Sequence, residues 1–290
     1  MLSFTVLAAR PEFTVSSVDC HDDHRGWSAE QPHADVRLVL VRSGGFRRRV
    51  RSGCTDLDRT VGYLGLPGEE EQFSHPAGGD VCTSISLRPG LWRALAGDAP
   101  RFAGSSLYVD GRLDLAHRRL LAAARDDGAE ELVGLVAQAV QQVVTTPAPD
   151  GGGDEALVAR ARGVIGDDHP AAAGLIPLAG LLGVSPYRLS RAFTRVLGVS
   201  LTRYRNGVRV SRALDRLEQG EPSLSVLAAD LGFADQAHLC RTVREHLGHT
   251  PTALRGLLGA NRAHQRGERH TADVVRDRRH GGDSETELLL

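Results

Sequence analysis

The stretch LAGLLGVSPYRLSRAFTRVL (Leu178–Leu197) is echoed by LAADLGFADQAHLCRTVREHL (Leu227–Leu247). Leu178-Ala179, Gly183 and Val184 match Leu227-Ala228, Gly232 and Phe233 at an offset of 49 residues. Each half then runs into a segment with apolar residues at helical spacing. These are Leu189, Ala192, Phe193 and Val196 in the first half, and Leu239, Val243 and Leu247 in the second. Two helices that cross steeply need a small residue where they touch, which Ala179 and Ala228 provide. The tight turn between them needs a residue free to take positive φ, which Gly183 and Gly232 provide. Ser185 before Pro186 supplies an N-cap and an N1 proline, and Asp235 can cap the matching helix. The second turn is one residue longer. The segment therefore reads as two helix-turn-helix units, joined by a helix from Ser200 to about Glu218 with Tyr204, Val208, Leu214 and Leu217 inward.

Charge agrees. The chain's net charge is −1, and all 35 cations are arginine because lysine is absent. Codon bias accounts for that absence, but every positive contact is then a planar five-donor guanidinium. Residues 1–153 carry a net −4, residues 154–260 carry +3, and residues 261–290 are neutral. From Leu175 to Arg216 there are eight arginines and one acid, Asp215. Such density is an electrostatic footprint for a polyanion.

These residues resemble the AraC/XylS family of bacterial transcription regulators. GVSPYRLSRAF (Gly183–Phe193), the Gly232–Gln236 run and HLGHTPTALR (His246–Arg255) carry the resemblance. It implies a DNA-binding regulator whose two second helices enter successive major grooves about one turn, ~34 Å, apart. The first DNA face is then Tyr187, Arg188, Ser190, Arg191, Thr194 and Arg195. By the family pattern Tyr187, Ser190 and Arg191 read bases, while Arg188 and Arg195 clamp phosphate. The second face is Gln236, Ala237, Cys240, Arg241 and Arg244. The family carries a large aromatic where Val243 stands. Residues 217–260 are also net −2, so the first unit is expected to dominate affinity.

Outside this block, TTPAPDGGGD (Thr145–Asp154) resists regular structure and reads as a linker. The expected order is a sensing or dimerising domain at 1–145, a linker at 146–153, the double helix-turn-helix domain at 154–259 and a disordered tail at 260–290. RLVLV (Arg37–Val41), FRRRVR (Phe46–Arg51), TVGYLGL (Thr60–Leu66) and VCTSISL (Val81–Leu87) read as short strands separated by Gly- and Pro-containing turns. Leu113–Leu121 and Glu130–Val144 read as helices. The fold class is therefore α+β. The N-terminal unit is a small barrel or sandwich with trailing helices, cupin-like by the resemblance, followed by an all-α reader.

No apolar run reaches the ~18–20 residues of a membrane helix, and the start lacks the form of a secretion signal. Four scattered cysteines (Cys20, Cys54, Cys82, Cys240) form no disulfide framework, so a reducing cytoplasm fits. No cofactor, metal or catalytic group is expected. Cys20, His24 and His33 hint at a metal site, but zinc needs three or four ligands together. The histidine pair usual in cupins is absent, and His75 and Cys82 stand isolated in the chain. Arg47, Arg49 and Arg51 share a strand face suited to surface salt bridges or an anionic effector, and Glu69–Glu71 reads as a solvated loop. The competing reading is a metal-dependent cupin enzyme, or a repair protein with a helix-turn-helix appendix. Promoter DNA, a small-molecule effector, RNA polymerase and a second copy are the partners the regulator reading implies.

Overall fold

The computed structural model describes residues 2–21, 25–30, 32–51, 53–97, 106–122, 131, 134–139 and 152–258. Most of the expected linker, the whole expected tail, and His24 lie outside these residues. The chain begins with β1 (Leu2–Ala9), β2 (Phe13–Cys20), β3 (Val36–Ser43), β4 (Phe46–Val50), β5 (Gly53–Leu57), β6 (Val61–Gly65), β7 (Gln72–Ser74) and β8 (Asp80–Leu87). After helix α1 (Pro89–Ala96) come β9 (Ser106–Tyr108) and α2 (Gly111–Ala122). A six-stranded sheet runs β1-β2-β8-β3-β6-β9, and a three-stranded sheet runs β5-β4-β7. Every pairing between these strands is antiparallel.

The run Val36–Val41 is apolar on both faces because the large sheet is covered on both sides. Val39 and Val41 share a core with Phe46, Leu57, Tyr63 and Cys82, between the sheets. Leu38 and Leu40 join Val15, Ile85 and Leu87 on the opposite face, against Trp92, Leu113 and the helical residues Leu135, Val136 and Ala139. β1 is an edge strand that turns Leu2, Phe4 and Val6 to solvent.

One expectation for this unit holds in part and one needs correction. Arg47 does pair on the surface with Asp56 at 2.7 Å, and Arg49 bonds Gln72 and lies over the Trp27 ring. Arg48, on the other face, is buried. Glu71 does not sit in a solvated loop, because its side chain is fully buried. β7 pairs Gln72 with Arg49, and the residue before it turns inward. There Glu71 meets Arg48 Nε at 2.6 Å, Arg37 Nη2 at 2.5 Å and His33 Nε2 at 2.9 Å. The reason is electrostatic: a carboxylate is tolerated without water when several donors surround it.

Helix α3 (Gly152–Gly166) ties this unit to the rest of the chain. Leu157, Val158, Ala161 and Ile165 lie in the same core as Val39 and Tyr63. Arg162 of α3 reaches Asp58 at 2.5 Å and donates to the Asp56 carbonyl at 2.9 Å. A short 3-10 turn (Pro170–Ala173) leads into α4 (Leu175–Leu182), α5 (Pro186–Leu197), α6 (Leu201–Glu218), α7 (Leu224–Asp230) and α8 (Gln236–Leu247). Residues 251–258 form a last helix, α9.

The long helix α6 is gripped by the sheet unit. Arg59, between β5 and β6, takes Asp215 with both terminal nitrogens at 2.8 Å. Arg118 of α2 bonds Asp215, Glu218 and its own neighbour Asp114. Ser211 donates to Asp114 at 2.7 Å, and the Tyr204 and Thr60 hydroxyls meet at 3.1 Å. Burial pushes the Asp215 carboxyl up, but the hydrogen bond from Arg59 and the charge of Arg118 outweigh it and hold the group below its ordinary range.

Asp215→Ala should therefore destabilise the chain by about 1–3 kcal/mol at pH 7. This is less than a fully buried pair would give, because both side chains keep some exposure. A depressed carboxylate stabilises above its unfolded pKa of about 3.9, and that contribution disappears as pH falls through the lower folded value. Urea unfolding of wild type and variant should thus differ at pH 7, and the difference should narrow as pH falls below about 4. A gap that does not narrow on acidification would contradict this assignment.

Candidate nucleic-acid interface

The two units are built from the local signals already noted. Gly183 and Gly232 both adopt left-handed φ, +71° and +70°; Gly183 caps the first helix of its unit, and Gly232 follows the Leu231 cap of the other. Ser185 Oγ accepts from the Arg188 amide at 3.2 Å, and Asp235 Oδ1 from the His238 amide at 2.6 Å. Beyond the longer second turn the offset becomes 50 residues: Leu189 matches Leu239, and Gly198 matches Gly248, both left-handed. The repeat continues into the caps of the next helices. Ser200 Oγ accepts from Arg203, and Thr250 Oγ1 from Ala253, at 3.2 Å each.

The inner faces are dry. Ala179, Leu189 and Phe193 are fully buried, as is Leu239, and Ala228 nearly so; Phe233 is buried slightly less. Phe193 meets Tyr204 edge-on at 5.3 Å, which fixes α5 against α6. Of the four residues expected to face inward on α6, Tyr204, Leu214 and Leu217 are buried, whereas Val208 is only half-buried. Phe233 is flanked by His238 edge-on and by the Arg209 guanidinium. The first unit shares its core with the sheet unit. The second centres on Val210, Leu214, Leu227, Val243, Leu247 and Leu254, with Leu115 of α2 packed in from the N-terminal unit.

The outer face of α5 presents Tyr187, Arg188, Arg191 and Thr194 exposed, with Ser190 and Arg195 half-buried. Tyr187 is 70% exposed, which is unusual for an aromatic side chain. Arg191 rests on it, donating to its hydroxyl at 3.0 Å. Thr194 Oγ1 donates back to the Ser190 carbonyl, so that hydroxyl is partly spent within the helix. On α8, Gln236, Ala237, Arg241 and Arg244 are exposed and Cys240 is half-buried.

The arginine density has a second explanation. Arg195 is held by Asp154 of α3 at 2.6 Å. Arg205 caps the Ala173 carbonyl, Arg212 pairs with Asp168, and Arg216 pairs with Glu221 and Asp230. Five of the eight arginines between Leu175 and Arg216, counting Arg209 on Phe233, thus have work inside the fold. Among the described residues, no ion pair engages Arg188 or Arg191. The outward charge of this face is smaller than the sequence sum.

Residues 178–256 match the family model described as "Helix-turn-helix domain". No protein of curated function matches the chain. Solved structures similar to it include ToxT from Vibrio cholerae, at 13% identity and TM-score 0.36, covering 86% of this chain and 99% of that one. A transcriptional regulator from Chromobacterium violaceum, described as having an AraC-type DNA-binding domain, is 24% identical over 37% of this chain and 96% of its own, with TM-score 0.33. A cupin 2 conserved barrel domain protein from Rhodopseudomonas palustris is 20% identical over 30% of this chain and 60% of its own, with TM-score 0.26. The doubled turn, the paired caps and the family match lead to one conclusion: the chain contains a helix-turn-helix domain over residues 178–256.

Proposed function

We propose that the chain is a sequence-specific DNA-binding transcription regulator rather than an enzyme, and that α5 and α8 are its reading helices. One observation carries the reading. Two copies of the same capped unit each bury an apolar stripe and turn a polar face outward. In this reading Tyr187, Ser190 and Arg191 take base edges and Arg188 takes phosphate. Arg195, already paired with Asp154, contributes less. On α8, Gln236 suits adenine, and Arg241 suits guanine or phosphate. With α6 as spacer, the two helices enter successive major grooves. Mapping where the protein sits on its own genome tests the reading, and the absence of any enriched sequence would overturn it.

The two faces are unequal. Arg191→Ala should cost about 1–3 kcal/mol of operator binding, roughly 5- to 150-fold, and relax specificity at one base pair. Arg241→Ala should cost less, because residues 217–260 are net acidic. Equal losses in a gel-shift titration would remove the asymmetry. Arg188→Ala should weaken all sequences alike and reduce the salt slope by about one.

The sheet unit is the regulatory half in this reading. A cavity of about 420 Å³ lies between it and α6, bordered by Arg42, Arg59, His117, Arg118, Asp215 and Glu218. A small polar effector that competed for Arg59 or Arg118 there would loosen Asp215 and with it α6. Self-association is placed on the exposed apolar side chains of β1. Contact with RNA polymerase and action in the cytoplasm, where the promoter DNA lies, follow from the same reading. No helix among the described residues is long and apolar enough to cross a membrane.

A further inference from the structure

The sequence leaves Cys20, His75, Asp80 and Cys82 unconnected. The fold gathers them on one side of the large sheet. In the β2–β8 ladder Cys20 lies directly opposite Asp80. Cys82, two residues on, therefore shares a face with Asp80. His75 follows β7, and the turn His75–Gly78, closed by the Gly78 amide on the His75 carbonyl at 3.3 Å, swings it back over that face. Its ring stacks on Phe46 at 5.7 Å, which fixes its orientation. Gly79 permits the approach, since a Cβ there would stand 2.1 Å from the Cys20 carbonyl oxygen.

One donor atom from each of Cys20, His75 and Asp80 lies within 4.8 Å of the other two. His75 Nε2 is 2.9 Å from Asp80 Oδ1, and Cys82 Sγ is 2.8 Å from Asp80 Oδ2. All four residues are buried, with no more than 7% of any of them exposed. A tetrahedral zinc ion with bonds of ~2.0–2.3 Å separates its donor atoms by roughly 3.3–3.8 Å. The donor atoms of Cys20, His75 and Asp80 already lie on that scale, and Cys82 stands beside them on Asp80.

We infer that Cys20, His75 and Asp80 form a buried structural site for a divalent zinc-like cation. A thiol, an imidazole and a carboxylate are a donor set for zinc, not for magnesium or calcium, whose ligands are oxygens. On binding, the Cys20 thiol releases its proton to solvent, and the imidazole coordinates as a neutral ring. All three residues are buried, so the site is a staple and not a reaction centre. It ties the end of β2 to the start of β8 and to the turn after β7, joining the large sheet to the small one. The inference is independent of the DNA-reading assignment.

The test uses the full-length protein, stripped with a chelator under reducing conditions and titrated with cobalt(II). The expected result is one cobalt per chain, with the visible d–d absorption of a tetrahedral ion and a thiolate-to-metal charge-transfer band. Zinc should displace both signals stoichiometrically. Zinc should also raise the thermal midpoint of the stripped protein. Cys20→Ser and His75→Ala should lose tight binding, whereas the double variant Cys54→Ser/Cys240→Ser should keep it. Octahedral cobalt without a thiolate band, or no binding by refolded wild type, would overturn the inference. So would full binding by Cys20→Ser. The wild-type spectrum decides the matter even where a ligand variant fails to fold.

Discussion

Glu71→Ala should lower stability by about 3–5 kcal/mol, the range for removing one partner of a buried charge pair. The carboxylate has no exposed side-chain surface, and it receives Arg48 and Arg37, with His33 alongside. Arg48, 2% exposed, also leans on the Tyr63 ring at 4.4 Å and reaches Glu69 at 2.6 Å. Deleting Glu71 removes the buried acid from a desolvated guanidinium and leaves Glu69, at the periphery, beside it. For a unit of this size the expected fall in thermal midpoint is roughly 6–20 °C. Glu70→Ala, at the exposed neighbouring position, should change it by no more than about 0.5 kcal/mol. Comparable shifts for the two variants in a thermal melt would show that the buried network contributes nothing. Glu71→Gln should fall between them, because it retains an acceptor oxygen but removes the charge.

The contrast between Glu70 and Glu71 also marks where sequence reading stops. Adjacent acids in a polar run look alike, and only the register of β7 on β4 decides that one faces inward. The reader was legible because its signals are local. A glycine at the turn, a cap at the next helix and apolar residues at helical spacing all lie within about twenty positions of one another. The strands β3, β4, β6 and β8 were legible from alternation or from continuous apolar runs. β1 was not, since its apolar side chains face solvent at a sheet edge. Long-range pairings left no trace at all. Arg59 and Asp215 are 156 residues apart, and either would serve equally well on a solvated surface. The single acid in the basic stretch looked like noise in a charge count, yet it is the point where the sheet unit holds α6. Cys20 and His75 pose the same difficulty, because ligand spacing is informative only when the ligands share a local element. The arginine density misled in the other direction. A guanidinium that caps a carbonyl or pairs with an aspartate within the fold counts the same in a sum as one that faces DNA.

Phe193→Ala should cost about 3–5 kcal/mol and abolish tight operator binding, a larger effect on DNA than that of any single arginine. The ring is fully buried and meets Tyr204 edge-on. Tyr204 in turn contacts Thr60 through its hydroxyl and Tyr108 through its ring, at 5.9 Å. Removing Phe193 therefore empties the joint where α5, α6 and the sheet unit meet. The exposed residues of α5 would remain chemically intact but would no longer be held in the geometry that base readout requires. Phe193→Leu, which keeps most of the volume, should recover most of the stability and much of the binding. Two measurements separate positioning from contact: the thermal midpoint of the free protein and the affinity for operator DNA. Arg191→Ala should reduce affinity while leaving the midpoint almost unchanged, because its exposed side chain rests on Tyr187 at the surface. Phe193→Ala should reduce both together. If Phe193→Ala kept the wild-type midpoint and operator affinity, the buried joint would not be what orients the reading helix.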